Sequence, residues 1–439
     1  MQRQKTIAKW LVIILLCTLA VGAYILYDAL YVGDLDGAAA DDVTPPDEND
    51  DPTPSDPVEP DPPYYTELPR ETQNFAGMSV GHVGGEGTDT VLDTVFTADC
   101  VYVFFRSTSE EYDCRGAGLY AALFTRNSLA AVTRIGEATD SFGGAKQTAD
   151  GVAAAVSDEE SGRLVVFAAD GSVKGETALP SFDTAYLLLS GSVLFVFSSD
   201  GTALQCTSVA RGLTSTVIPF RLSGGYTVRE GMVTADGIVL VAEKGEDLSV
   251  IEFSQNDGFN THLTYNETSF MQIVPLAGEE GAAFALLGKT AAGLRLAVFD
   301  AECRAEAETV VDGAEGGVLF GDGVSLTLVR TGVTETYCRH LDLISTSPTS
   351  DVIGDVAAVR SSGNVRFYAS VDGDGGMSVF VSADGGAFSS LMECGFAGGK
   401  LSSAVTDGKL LLSFSTSSTE GIFFENFGEA DAYFVALPL

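Results

Sequence analysis

Histidine and tryptophan are almost missing from this 439-residue chain, which has three His (His82, His262, His340) and one Trp (Trp10). The histidines have no metal-type spacing, which excludes the usual His-based zinc arrangements, and no Gly-rich loop ends in Lys-Ser or Lys-Thr to cradle a phosphate. Positive charge is scarce as well. Lys and Arg number 24 against 61 Asp and Glu, a formal charge of -37, so the summed field repels a polyanion and nucleic acid is not an expected partner. Seven cysteines are present, with Cys17 near the N-terminus and Cys100, Cys114, Cys206, Cys303, Cys338 and Cys394 scattered without zinc-type pairs. Cys100 and Cys114 are closest in sequence; buried thiols and bridges both stay open. Helix-period segments are also absent between the strand-like stretches that follow the N-terminal region, which leaves all-β arrangements; among these a β-solenoid would want a shorter period and a pair of β-sandwiches would not keep one period along the whole length.

What is present begins with an uncharged stretch from Trp10 to Tyr27, preceded by Arg3, Lys5 and Lys9. Eighteen apolar-rich residues are close to the minimum for a helix crossing the hydrocarbon layer, and basic residues before it with acidic ones after it orient the N-terminus to the cytoplasm. The expected organisation is a basic tail (1–9), a signal anchor (10–29), a spacer (30–70) and an exported domain (71–439). A cleaved signal peptide with Val21 and Ala23 before the cut is the competing reading, but the apolar run continues through Tyr24, Ile25, Leu26 and Tyr27. The heart of the spacer, Asp34 to Pro63, holds eleven acidic residues, eight prolines and no Lys or Arg. Like-charge repulsion and proline together predict an extended, hydrated linker.

"TADGVAAAV" begins at Thr148 and "TADGIVLVA" at Thr234. The same event, a tight turn feeding an apolar strand, recurs at Asp99, Asp150, Gly191, Asp236, Glu280, Asp322, Gly363 and Asp407, at intervals of 51, 41, 45, 44, 42, 41 and 44 residues. After each apolar strand come a polar loop, another strand such as Arg163 to Ala169, and a second turn (Gly171, Gly258, Gly385) that leads into a fourth strand. Four short strands in about 44 residues, repeated without helices, predict an all-β propeller of eight four-stranded blades, with seven as the alternative count. A lone four-stranded sheet has two apolar faces and cannot cover either. Packing each sheet on its neighbours in a closed ring covers both, so the apolar strand after the first turn is expected to be the second of four, buried on both sides.

From about Thr88 to Leu439 the repeat resembles bacterial extracytoplasmic β-propellers at superfamily level. It lacks the blade tryptophans of the quinoprotein type and the Trp-Asp dipeptide of the WD40 type. "SADGGAF" (Ser382 to Phe388) resembles a shortened Asp-box of the sialidase-type propellers, which implies a stable turn and no activity.

Two motifs test for chemistry. Gly77 to Gly81 fits G-x-S-x-G with His82 following, but a nucleophile elbow needs a strand before and a helix after, and neither flank supplies one. Asp372 and Asp374 fall in an Asp-x-Asp loop, making calcium the one ion to consider there, although Gly376 stands at the third ligand position. No other cofactor is expected. In a propeller the loops between second and third strands share one face of the disc with the blade-to-blade connections. Four of those loops are acidic, and they nominate Glu110, Glu111 and Asp113; Asp158, Glu159 and Glu160; Glu246 and Asp247; and Asp372 and Asp374 as ligand-facing groups. The function expected is membrane-tethered, non-catalytic recognition or scaffolding for a cationic extracellular protein or peptide. The alternative is a hydrolase or lyase acting on extracellular glycans with paired carboxylates at the channel mouth.

Overall fold

Strands account for nearly all the regular structure in the computed structural model, which describes residues 73–439 apart from 76–77, 111–112, 115, 126–127, 235–236, 277–281, 324, 350–352, 354, 363–364, 383–386, 407, 420–422 and 424–427. The expected anchor and spacer lie outside the described residues. Among the described residues no helix is long and apolar enough to cross a membrane. The strands form eight antiparallel sheets, seven of four strands and one of five. Each sheet packs its first strand beside the first strand of the next, and the first strand of blade 1 (Asp89–Phe96) meets that of blade 8 (Ser402–Thr406), so the domain is a closed eight-bladed β-propeller.

The repeated phrase falls at equivalent places. Thr148 ends the first strand of blade 2 (Ser141–Thr148) and Gly151 opens its second (Gly151–Ser157); Thr234 follows the first strand of blade 4 (Thr227–Val233), and the second strand (Ile238–Lys244) begins just beyond. All eight turn positions read from the sequence fall, in chain order, between a first and a second strand; of these Asp99, Asp150, Gly191 and Asp322 are among the described residues. The second strands are buried on both faces, as continuous apolar runs require. In Cys100–Ser107, Val103 and Phe105 pack toward blade 8 whereas Tyr102 and Phe104 pack toward blade 2. The same split recurs in Gly151–Ser157, where Ala154 and Val156 face blade 1 and Ala153 and Ala155 face blade 3. Eight apolar clusters fill the eight blade interfaces, one each.

Sequence order alone did not reveal how the ring closes. Blade 8 takes three strands from the C-terminus (Ser402–Thr406, Lys409–Thr416, Asp431–Pro438) and its fourth from the N-terminal side, Met78–Val83, which pairs antiparallel with Asp431–Pro438 from Ser79 opposite Ala436 to Val83 opposite Ala432. Gln73–Phe75 adds a fifth strand at the edge. The G-x-S-x-G stretch is thereby accounted for. Ser79 sits in a sheet ladder that continues to Val83, and His82 stacks on Tyr433 at 5.3 Å, so the backbone at Ser79 is that of a strand and not of a strand-to-helix elbow.

Beyond Val83 the seam is polar and tight. Gly84 donates its N–H to Asp113 Oδ2 (3.0 Å) and Gly85 to Asp89 Oδ2 (2.8 Å), while Asp89 N–H reaches Ala430 O (2.7 Å). Any side chain at Gly84 would collide with Asp431 Oδ1 at 2.5 Å and Asp89 Oδ2 at 2.7 Å. Burial pushes the Asp89 carboxyl above the usual carboxylate range, with hydrogen bonds from Ser107, Gly85, Ser109 and Cys114 only partly opposing it. A carboxyl raised in the folded state favours folding when protonated; its contribution is complete below the unfolded value and is lost as pH climbs through the folded one. Lowering the pH through the raised folded-state pKa of Asp89 is therefore expected to raise the melting temperature, and Asp89→Asn to flatten that rise; an unchanged slope in the variant would refute this assignment.

Candidate functional site

The first strands of the blades leave one edge unpaired toward the axis, and these edges enclose a central channel of about 1260 Å³. Its wall carries Asp93 and Thr94 from blade 1, Lys146 and Gln147 from blade 2, Tyr186 from blade 3, Arg229 and Glu230 from blade 4, Gln272 from blade 5, and Lys400, Ser402 and Ser403 at blade 8. A bulge shapes several of these strands in the same place. One extra residue is accommodated at Leu92, Gly143, Arg229, Met271 and Ala357, so that Asp93, Gly144, Glu230, Gln272 and Ala358 occupy matching positions in blades 1, 2, 4, 5 and 7.

Three of those matching residues tie one blade to another. Asp93 Oδ2 accepts the Ala145 N–H of blade 2 (3.0 Å), and its Oδ1 takes the Lys400 ammonium (2.7 Å), the Thr94 N–H (2.9 Å) and, more distantly, the Ser402 hydroxyl (3.4 Å). Three blades thus meet at one carboxylate. Tyr186 of blade 3 donates its hydroxyl to Glu230 Oε1 of blade 4 (2.7 Å). Burial and then the Glu230 anion drive the Tyr186 phenol far upward, so it stays protonated as a donor. Gln272 Oε1 accepts the Leu319 N–H (2.9 Å) and its Nε2 donates to the Leu319 carbonyl, joining blades 5 and 6. The channel's acidic groups are consequently occupied in holding the ring. Arg229 pairs with Glu243 (2.6 Å), whose other oxygen accepts the Phe270 N–H of blade 5 (2.6 Å).

The acidic loops named from the sequence do connect second to third strands, and the antiparallel order places all four at the same end of their blades. Within them the carboxylates separate into two kinds. Asp158 Oδ1 closes its own turn on the N–H groups of Ser161 (2.6 Å) and Glu160 (2.8 Å), bonds that hold its carboxyl below the ordinary range; Glu159 and Glu160 are exposed. Asp372 Oδ1 does the same for Gly376 (2.7 Å) and Asp374 (3.0 Å), and Asp374 is exposed. Asp247 accepts the Glu267 N–H (3.1 Å) beside exposed Glu246. The first loop differs. Glu110 is exposed and Glu111 lies outside the described residues, but Asp113 is only 1% exposed and serves the closure seam. Among the described residues no group of three or more His, Cys, Asp or Glu is placed to hold a metal ion.

The cysteines that spacing left open are resolved for the closest pair. Cys100 Sγ lies 3.1 Å from Thr97 Oγ1, whereas Cys114 Sγ approaches Asp89 Oδ1 at 3.9 Å, and the two are not bridged. Burial raises the Cys303 and Cys394 thiols to about 12, which keeps them protonated and poorly nucleophilic.

Sequence reasoning missed the channel residues because a bulge interrupts the alternation of several first strands. A signal was available in the repeat itself: Asp93 and Glu230 each stand six residues ahead of their turn aspartates, Asp99 and Asp236.

No family model matches the chain, and no curated protein matches it in sequence. Solved structures do match. The Dos1 propeller superposes with a TM-score of 0.51 at 13% identity, over 80% of this chain and 93% of that one. The computationally designed Ika8 protein gives 0.47 at 12% identity (80% and 98% covered), and the polysaccharide lyase Uly1 gives 0.42 at 10% (72% and 94%). At these identities the likeness establishes the fold and nothing further.

Proposed function

We propose that this propeller is a non-catalytic recognition module that receives a cationic protein or peptide on the face formed by its second-to-third strand loops, held outside the membrane by the anchor and spacer read from residues 10–70. The observation that carries this reading is a division of labour among carboxylates. Those of the channel, Asp93 and Glu230, are committed to blade-to-blade bonds. Glu159, Glu160, Glu246 and Asp374 stand exposed on loops at one end of blades 2, 4 and 7, where turn-closing Asp158 and Asp372 fix the backbone beneath them. Fixed loops bearing uncommitted carboxylates suit electrostatic recognition, in which rim charges act chiefly on association rate.

Binding of an immobilised Lys/Arg-rich peptide to the full chain tests this. Raising salt from 50 to 300 mM is expected to weaken association at least tenfold, and the combined change Glu159→Gln, Glu160→Gln, Glu246→Gln, Asp374→Asn to slow it by about the same factor without altering the melting temperature. Association indifferent to both salt and the four substitutions would eliminate the acidic face as the docking surface.

A further inference from the structure

We propose that the central channel is a separate binding site for a small anion, one carrying a carboxylate or a phosphate group, gripped by Lys146, Lys400 and Arg229. The first ground is a local enrichment in cations. In a chain with 24 Lys and Arg against 61 Asp and Glu, the channel wall bears three cations, Lys146, Arg229 and Lys400, against two anions, Asp93 and Glu230. Both anions are already satisfied by donors of the wall itself. Among the cations, Lys400 pairs with Asp93 and Arg229 with Glu243, each with donors to spare, and Lys146 has no ion pair among the described residues.

Lys146 is exposed and its ammonium has no hydrogen bond or ion pair among the described residues. Lys400 gives one N–H to Asp93, and its side chain remains 56% exposed. Arg229 gives its Nε to Glu243 with the side chain 49% exposed, which leaves the two terminal nitrogens of the guanidinium to donate. Asp93 also fixes where two of these groups stand. One oxygen holds Lys400, and the other holds the backbone N–H of Ala145, the residue immediately before Lys146, so both ammonium-bearing segments flank a single carboxylate.

Neutral donors complete the wall: Thr94, Gln147, Ser402 and Ser403 line the same space, together with the unpaired edges of the first strands. The volume, about 1260 Å³, exceeds the ~300–1,000 Å³ of ordinary small-molecule sites, so the occupant is expected to keep part of its water. The repulsive field of the acidic exterior is screened over about 8 Å at physiological salt, whereas a ligand inside touches the cations directly. This site is independent of the acidic face and of the partner proposed for it.

Isothermal titration of the full chain with citrate, inorganic pyrophosphate and neutral maltotriose decides the matter. Saturable binding of one equivalent of citrate or pyrophosphate, without maltotriose binding, is the expected result; citrate alone identifies a carboxylate ligand and pyrophosphate alone a phosphate. Lys146→Gln is expected to weaken the anion at least tenfold and Lys146→Arg to retain it within about threefold, both with an unchanged melting temperature because the ammonium holds nothing in the fold. Failure of both anions to bind, equal binding of maltotriose, or anion affinity untouched by Lys146→Gln combined with Arg229→Gln would each overturn the proposal.

Discussion

Val83→Asp is expected to abolish the folded ring. Val83 is fully buried, pairs with Ala432, and packs with Val91, Val103, Phe105 and Phe434 where blade 8 meets blade 1. An aspartate there loses the apolar contacts and places an unpaired carboxylate in the core, each a route to several kcal/mol. The surroundings make the site worse for an anion than an average core position, because the next residue, Gly84, already abuts Asp89 and Asp431 and donates to Asp113. Ionisation beside those carboxylates is opposed, and a neutral aspartic acid still needs a partner. The combined loss, on the order of 5 kcal/mol or more, matches the whole stability of many domains. Because Met78–Val83 is the strand that fastens the N-terminal side to the last blade, its failure exposes the edge of Asp431–Pro438, and aggregation through that edge is expected. Val83→Ala separates the causes: removal of two methyl groups without charge costs about 2 kcal/mol and leaves a folded protein. Thermal melts followed by near-ultraviolet circular dichroism distinguish the two variants, and a Val83→Asp protein melting within a few degrees of wild type would show that the strand does not close the ring.

Period and burial were legible in the sequence; closure and the channel were not. Turns at Asp99, Asp150, Gly191 and Asp322 announce themselves because a tight reversal needs Asp and Gly, and the second strands because burial on two faces needs unbroken apolar runs such as Val101 to Phe105. Met78–Val83 carried no such mark. It stands apart from the other strands of blade 8 by the full length of the domain, and an outer strand has one face to cover, so "MSVGHV" reads as any short β segment. The channel side chains were obscured for a related reason. A bulge shifts the phase of the first strand by one residue, so Asp93 and Glu230 break the alternation that a regular strand would show, and their partners Ala145, Lys400 and Tyr186 come from other blades. Charge counts placed acidic groups in or beside the second-to-third strand connections, with Asp247 opening a strand instead of lying in a loop, but counting could not tell Asp158 and Asp372, which serve their own turns, or Asp113, which serves the seam, from Glu159 and Glu160, whose carboxylates have no partner among the described residues.

Gly151 and Gly237 stand in the same four-letter phrase, yet replacing them by alanine is expected to have very different effects. Gly151 adopts φ +137°, a conformation L side chains rarely enter, and a Cβ there would lie 2.0 Å from the Phe167 carbonyl oxygen of the neighbouring strand. That oxygen belongs to the ladder in which Val152 faces Phe167, so relief requires moving backbone. The strained φ alone costs about 1–2 kcal/mol, and the collision with backbone brings the expected loss to about 3–4 kcal/mol. Gly237 faces the equivalent oxygen, that of Phe253, from 3.0 Å. A shift of a few tenths of an ångström accommodates a methyl group there, and the reduced freedom of the unfolded chain offsets much of the cost, so Gly237→Ala should change stability by less than about 1 kcal/mol. Gly293 provides an independent check of the mechanism, since it combines φ +152° with a Cβ position 2.1 Å from the Val311 oxygen, and Gly293→Ala should behave like Gly151→Ala. Denaturant midpoints for the three variants measure this directly. Equal losses at Gly151 and Gly237 would mean that the repeat fixes the glycine through turn chemistry shared by all blades; unequal losses mean that local strand approach, different in each blade, decides how much each copy of the phrase matters.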